Sequence, residues 1–187
     1  MAASLLAQPA AAQSNSASKT LPVTGRAPVI CAIDNPRVQP GSLVNFSGVD
    51  GNTLRILQFA DPQTLAAKAA SATIAFAAVC NFPHRIRIES QNNGMWPTDG
   101  RVSAAATGFA YAVPYQARAT WDGVDVRLDT DGKVRRTEQS SATVDEPAAG
   151  DLDLRIDIAQ GASNVAVNAP LLAGDYIDTL RIFLEPQ

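Results

Sequence analysis

The chain has 187 residues, 46% of them hydrophobic, which is enough for one domain with a sizeable core and a short appendage. Basic residues number 15 against 18 acidic, for a net charge of −3, so the basic stripe that nucleic acid or an anionic membrane surface requires is missing. No stretch approaches the roughly 18 to 20 consecutive apolar residues of a spanning helix, and no integral membrane segment is expected.

The N-terminus reads as a processing signal rather than as structure. Leu5-Leu6-Ala7 leads into Pro9-Ala10-Ala11-Ala12, an Ala-x-Ala cleavage pattern, so residues 1–12 are expected to be the remnant of a secretory signal. A basic stretch ahead of it is missing, which leaves a start upstream of Met1 or an alanine-rich tail as alternatives. Residues 13–28 then form an N-terminal extension, and 29–187 the domain of an exported protein.

Within the domain, runs of alternating apolar and polar residues recur at short intervals. Candidate strands are 29–33, 43–47, 53–59, 72–81, 85–90, 109–114, 115–121, 124–129, 151–158, 165–168 and 176–184. So many short strands predict an all-β sandwich. Trp121-Asp122-Gly123-Val124 is the clearest turn, because Asp-Gly accepts the two positive φ angles of a type I′ hairpin. Residues 62–70, rich in alanine, read as at most a turn or two of helix. Residues 133–150 read as a long exposed loop.

Cys31 and Cys80 are the only cysteines, each inside a β-like run. In an exported chain they most simply form one disulfide, closing a loop of roughly 50 residues worth on the order of 4 kcal/mol in chain-entropy terms. Two buried thiols are the alternative. With the single, distant His84 they cannot build a tetrahedral metal site.

Catalytic chemistry finds little support. Any Ser-His-Asp or Cys-His arrangement passes through His84, which lies beside Pro83 at what looks like a strand start and reads as a satisfied turn histidine rather than a general base. Asp129-Thr130-Asp131-Gly132 opens like a calcium loop, but Lys133 and Ser140 stand where further acidic ligands belong. Asp151, Asp153 and Asp157 alternate on the polar face of one strand. Tyr115 and Trp121 share a face, Phe76 goes with Ile74 and Cys80, and Tyr176 with Leu180 and Ile182; all read as core. Trp96, in Asn92-Asn93-Gly94-Met95-Trp96-Pro97, is placed to face a ligand such as a sugar. No catalytic residue, metal or cofactor is assigned.

At the C-terminal end, Leu152, Leu154, Ile156 and Ile158 alternate with charges, and a last strand runs through Leu180, Ile182 and Leu184. No later apolar run remains to pair with its free edge, so the sheet is expected to be finished from outside the domain.

Together, Cys31, Val79-Cys80-Asn81-Phe82-Pro83, the following Ile86 to Met95 with its Ser90-Gln91-Asn92-Asn93-Gly94 turn, Val113-Pro114-Tyr115 and Ala173-Gly174-Asp175-Tyr176-Ile177-Asp178-Thr179-Leu180 resemble the spore coat protein U domain. This is the pilin type of archaic chaperone-usher pili, and the similarity covers 29–187. It implies an immunoglobulin-like sandwich lacking its last strand, with a groove edged by Tyr176, Leu180, Ile182 and Leu184. A periplasmic pilus chaperone would fill that groove first. At the outer-membrane usher, the extension of a neighbouring pilin subunit would replace it by donor-strand complementation.

The implied location is the periplasm and then the cell surface, in a fimbrium, and the implied function is a structural fibre subunit for adhesion or biofilm formation. The candidate donor, 13–27, offers only Leu21 and Val23 as sizeable residues in the phase of Ala17, Lys19, Gly25 and Ala27. That weakness fits a minor or tip-proximal subunit, a donor that also includes the alanine-rich head, or a free-standing relative. An exported carbohydrate-binding module using Trp96 and 133–150 is the alternative function, and a hydrolase with carboxylate chemistry the third.

Overall fold

A computed structural model describes residues 17–99 and 107–187. The signal remnant at 1–12 and the start of the candidate donor at 13–16 lie outside the described residues. Twelve strands follow in order: β1 (Cys31–Val38), β2 (Phe46–Asp50), β3 (Thr53–Ile56), β4 (Ala70–Cys80), β5 (His84–Ser90), β6 (Trp96–Pro97), β7 (Gln116–Trp121), β8 (Val124–Asp129), β9 (Glu138–Val144), β10 (Ala148–Ile158), β11 (Tyr176–Ile177) and β12 (Leu180–Pro186). The fold is an all-β sandwich.

One sheet has the order β1-β4-β10-β7-β8 and the other β12-β5-β9, all pairs antiparallel. Alternation in each strand supplies the filling. Ile74, Leu152, Leu154, Ala117, Ala119, Trp121, Val126 and Leu128 are buried from the larger sheet, Ile86, Ile88 and Val144 from the smaller. Burying side chains of this kind contributes about 1.5–3 kcal/mol each. Along one flank β8 packs beside β9 and closes the sandwich. Two short ribbons, β2-β3 and β11-β6, lie outside the main sheets.

The type I′ hairpin joins β7 to β8, with φ of 49° at Asp122 and 75° at Gly123. Residues 62–70 form no helix, because Asp61 caps a tight turn, accepting from the backbone N–H of Gln63 at 3.0 Å and of Thr64 at 2.9 Å. The exposed loop at 133–150 is a misreading: it contains β9 and the start of β10. Its inward positions Glu138, Ser140 and Ala142 are small or polar, so the alternation carries no apolar signal, yet all three stand in register with β5. Residues 109–114 contribute only bridges, Ala110 to Leu171 and Val113 to Met95, and 165–168 is a turn.

Cys31 stands directly opposite Cys80 in the β1-β4 ladder, with Cα atoms 4.1 Å apart and a disulfide between them. The free-thiol alternative is thereby removed. The bond spans a sequence separation of 49. Replacing both cysteines by serine should lower the unfolding free energy by about 4 kcal/mol in urea titrations; an unchanged midpoint and slope would contradict this account of the bond.

Candidate functional site

The flank opposite the β8–β9 closure is built differently. β1 is the outer strand of the larger sheet and β12 that of the smaller, and among the described residues each pairs on one side only. Leu180, Ile182 and Leu184 stand in register with Ser90, Ile88 and Ile86 and therefore face the core. Ile86 and Ile88 are fully buried, whereas Leu180, Ile182 and Leu184 are only partly so. The same gradient crosses the larger sheet: Leu152 on β10 is fully buried, its partner Phe76 on β4 is partly covered, and so are Cys31 and Ile33 on β1. An apolar row thus runs half-covered along the seam between β1 and β12.

The two edges differ in protection. β1 carries Pro36 and an irregularity in register between Ile33 and Pro36, both devices that blunt an edge. β12 has no proline before Pro186 and no charge on its inward face. Its outer face is fixed to β5 by ion pairs: Arg87 reaches Glu185 at 2.5 Å and Glu89 at 2.7 Å, and Arg181 reaches Glu89 at 3.1 Å. Arg87 also lies 3.8 Å over the Phe183 ring. Its guanidinium holds the Glu185 carboxyl below the ordinary carboxylate value. Among the described residues the side of β12 away from β5 pairs with no strand.

The N-terminal extension stays off its own domain. Residues 17–30 are exposed and without regular structure, with Leu21 80% and Val23 93% exposed. Among its described residues the extension is fastened at its root, where Asn81 donates from Nδ2 to the Pro28 carbonyl at 2.7 Å and accepts from the Ile30 N–H at 2.9 Å.

Tyr176, expected beside Leu180 on the groove edge, is placed elsewhere. It belongs to the β11-β6 ribbon, its ring centroid 4.9 Å from that of Phe59 and its hydroxyl donating to the Leu172 carbonyl at 2.9 Å. Burial pushes that hydroxyl up to about 12. The break between β11 and β12 is made by Asp178. Its carboxylate accepts from the Ser90 hydroxyl, the Asn92 N–H at 3.0 Å and side-chain amide at 3.1 Å, the Tyr115 hydroxyl at 2.7 Å and the Thr179 N–H at 2.8 Å. The Ser-Gln-Asn-Asn-Gly turn and the Gly-Asp-Tyr-Ile-Asp-Thr run, separately noticeable in the sequence, are two halves of one buried knot.

A second knot adjoins it. Asn93 donates to Asp131 at 2.6 Å and accepts from its N–H at 3.0 Å, while the backbone N–H of Lys133, donating to the carboxylate at 2.9 Å, holds Asp131 below the ordinary carboxylate value. The Asp-Thr-Asp-Gly run is a structural turn.

The remaining candidates are absorbed by packing. Trp96 does not face outward: it is 4% exposed, donates from Nε1 to the Asn92 carbonyl at 2.7 Å and packs against Tyr111, so its ring offers no face to a sugar. His84 stands at a strand start as expected, the first residue of β5, and is fully buried, with Nδ1 2.8 Å from the Phe82 carbonyl and its ring against Trp121. Asp151 pairs with Arg37, Asp157 with Arg155, and Asp153 accepts from Gln39. An open depression of about 310 Å³ on the outer face of the larger sheet is lined by Arg118, Arg127 and Arg155. Each of these is neutralised by its own aspartate, Asp125, Asp129 and Asp157. Among the described residues no three metal-binding side chains cluster, and no helix is long and apolar enough to cross a membrane. No family model matches the chain, and no curated protein matches it.

Burial first, and then the Asp178 charge, raise the Tyr115 hydroxyl far above its ordinary value of 10.0. A group held protonated in the folded state contributes stability that is complete below the unfolded value and declines above it. The protein should therefore lose stability as pH rises beyond about 10, where the unfolded chain ionises this tyrosine and the folded chain does not. In Tyr115→Phe the alkaline slope of the denaturation midpoint should shrink, with a loss of about 1 kcal/mol at neutral pH for the missing hydrogen bond. An unaltered slope would show that the knot is not coupled to this proton.

Proposed function

We propose that this chain is an exported structural subunit of a surface fibre, in which an extended strand from another polypeptide completes the sandwich along β12. The observation that carries the reading is the half-covered row Leu180, Ile182 and Leu184 on an unprotected edge. An open edge of this kind templates strand addition, with backbone hydrogen bonds giving affinity and alternate side chains giving register. The exposed extension of a neighbouring copy is the donor, its Leu21 and Val23 two residues apart and so able to enter one apolar row together.

On this reading the fold is an immunoglobulin-like sandwich short of one strand, of the spore coat protein U type. A periplasmic chaperone holds the seam before an outer-membrane usher exchanges it for the donor. Each subunit gives one strand and receives one, so the contact is heterologous, does not close, and builds a fibre for adhesion or biofilm formation. The disulfide is compatible with the oxidising compartment that such a route crosses. The carbohydrate-binding alternative loses its aromatic platform with the burial of Trp96.

The test is the double substitution Leu21→Asp with Val23→Asp. Both side chains are exposed in the single chain, so the monomer should keep its circular dichroism and melting temperature. Polymers seen by electron microscopy in the parent protein should be absent, because an inward carboxylate costs several kcal/mol when buried. Polymers of undiminished length in the variant would exclude this segment as the donor.

A further inference from the structure

The root of the extension, the disulfide and the connection between the two sheets meet at one end of the sandwich. Cys31 is the first residue of β1 and Cys80 the last of β4. After Cys80, Asn81-Phe82-Pro83 carries the chain from the larger sheet into β5 of the smaller. Asn81 in turn holds Pro28 and Ile30. β1 is an edge strand with one neighbour, whereas β4 lies between β1 and β10, and β5 between β12 and β9.

We propose that the Cys31–Cys80 bond is a force-transmitting joint, which carries tension on the extension past edge strand β1 and into the junction of the two central strands β4 and β5. Tension that acts across the sheet at the N-terminal end of an edge strand loads its ladder one residue pair at a time, starting here at Cys31–Cys80, and hydrogen bonds broken singly resist little. The covalent bond sits at that first pair, so peeling stops before it begins. Force instead enters at Cys80, where two strands flanked on both sides have to be dislodged together. Asn81 extends the joint by three residues, aligning the extension with Cys31 before tension reaches the sulfur atoms. That the extension bears tension rests on the fibre reading; the path taken by the force is a property of the single chain.

Single-molecule pulling on the monomer separates the two. One handle is attached to the extension, and the other through an azide-bearing residue at position 146, an exposed position between β9 and β10 at the Cys31 end of the sheet, where Ala148 stands opposite Cys80, so that the pull crosses the strands. The oxidised protein should unfold with no early lengthening. The folded protein treated with dithiothreitol should show a precursor step at lower force, as the 8 residues of β1 come away, of up to about 29 Å at ~3.6 Å per residue. Cys31→Ser with Cys80→Ser should give the same precursor step, and Asn81→Ala, which keeps the bond, should not. A precursor step in the oxidised protein, or none in either reduced form, overturns the proposal. Failure of the fibre reading would appear separately, as unaltered polymers in the Leu21 and Val23 variant.

Discussion

The backbone of a β-strand carries hydrogen-bonding groups on both sides, and β12 uses those on one side only among the described residues. Much of the architecture follows from how the sandwich handles that asymmetry. On the β8–β9 flank the sheets meet and the core is sealed, with Val126, Leu128 and Val144 buried. On the β1–β12 flank the apolar rows simply run out, and burial falls from Leu152 through Phe76 and from Ile88 through Ile182. Natural sheets blunt such edges with prolines, bulges or inward charges. β1 has the first two of these, and β12 keeps its apolar side chains inward and its charges outward, with no inward charge on its free side.

The entry of the chain into β12 is fixed by Asp178. A carboxylate in a partly buried setting is costly unless its oxygens are satisfied, and five donors from three segments converge on it. The tolerance around this knot is small. Gly94 adopts φ +126°, and a Cβ there would lie 3.2 Å from the Val113 carbonyl oxygen and 3.3 Å from the Gly132 Cα. Polar residues that look like a binding loop in one dimension thus fix where the last strand begins.

The sequence was legible where large apolar residues alternate with charges: β4, β5, β7, β8 and β10 all fall close to their expected ranges. It was misleading where burial is not signalled by size. β9 presents Glu138, Ser140 and Ala142 inward, so a strand with a full ladder to β5 looks like a polar loop. Trp96 sits among turn-forming residues and yet belongs to a two-residue ribbon and packs its ring against Tyr111, a tertiary cover invisible to local composition. Tyr176 was grouped with Leu180 because a period of two passes unbroken through Asp178, whereas the structure interrupts the strand at that carboxylate. The inward phase of Leu180, Ile182 and Leu184 was legible, since it is a property of alternation alone.

On the proposed reading, the extension has an internal feature that limits how it can pair. Pro22 stands between Leu21 and Val23 and has no N–H to give. In a strand, side-chain direction and hydrogen-bonding direction alternate together, so if Leu21 and Val23 point into the seam, their backbone groups face one neighbour and those of Pro22 face the other. A proline facing β12 would break the only continuous ladder on offer. Facing β1 it loses little, because Pro36 and the shift in register after Ile33 already interrupt that edge. The extension therefore has one favourable orientation, with Leu21 and Val23 bonded to β12 and Pro22 turned towards β1. Burying Leu21 and Val23 contributes about 1.5–3 kcal/mol each, while ordering each backbone residue costs about 1–2 kcal/mol. Side-chain burial alone does not offset the ordering of a strand of this length, so the affinity of such a donor has to come chiefly from the β12 ladder that this orientation preserves.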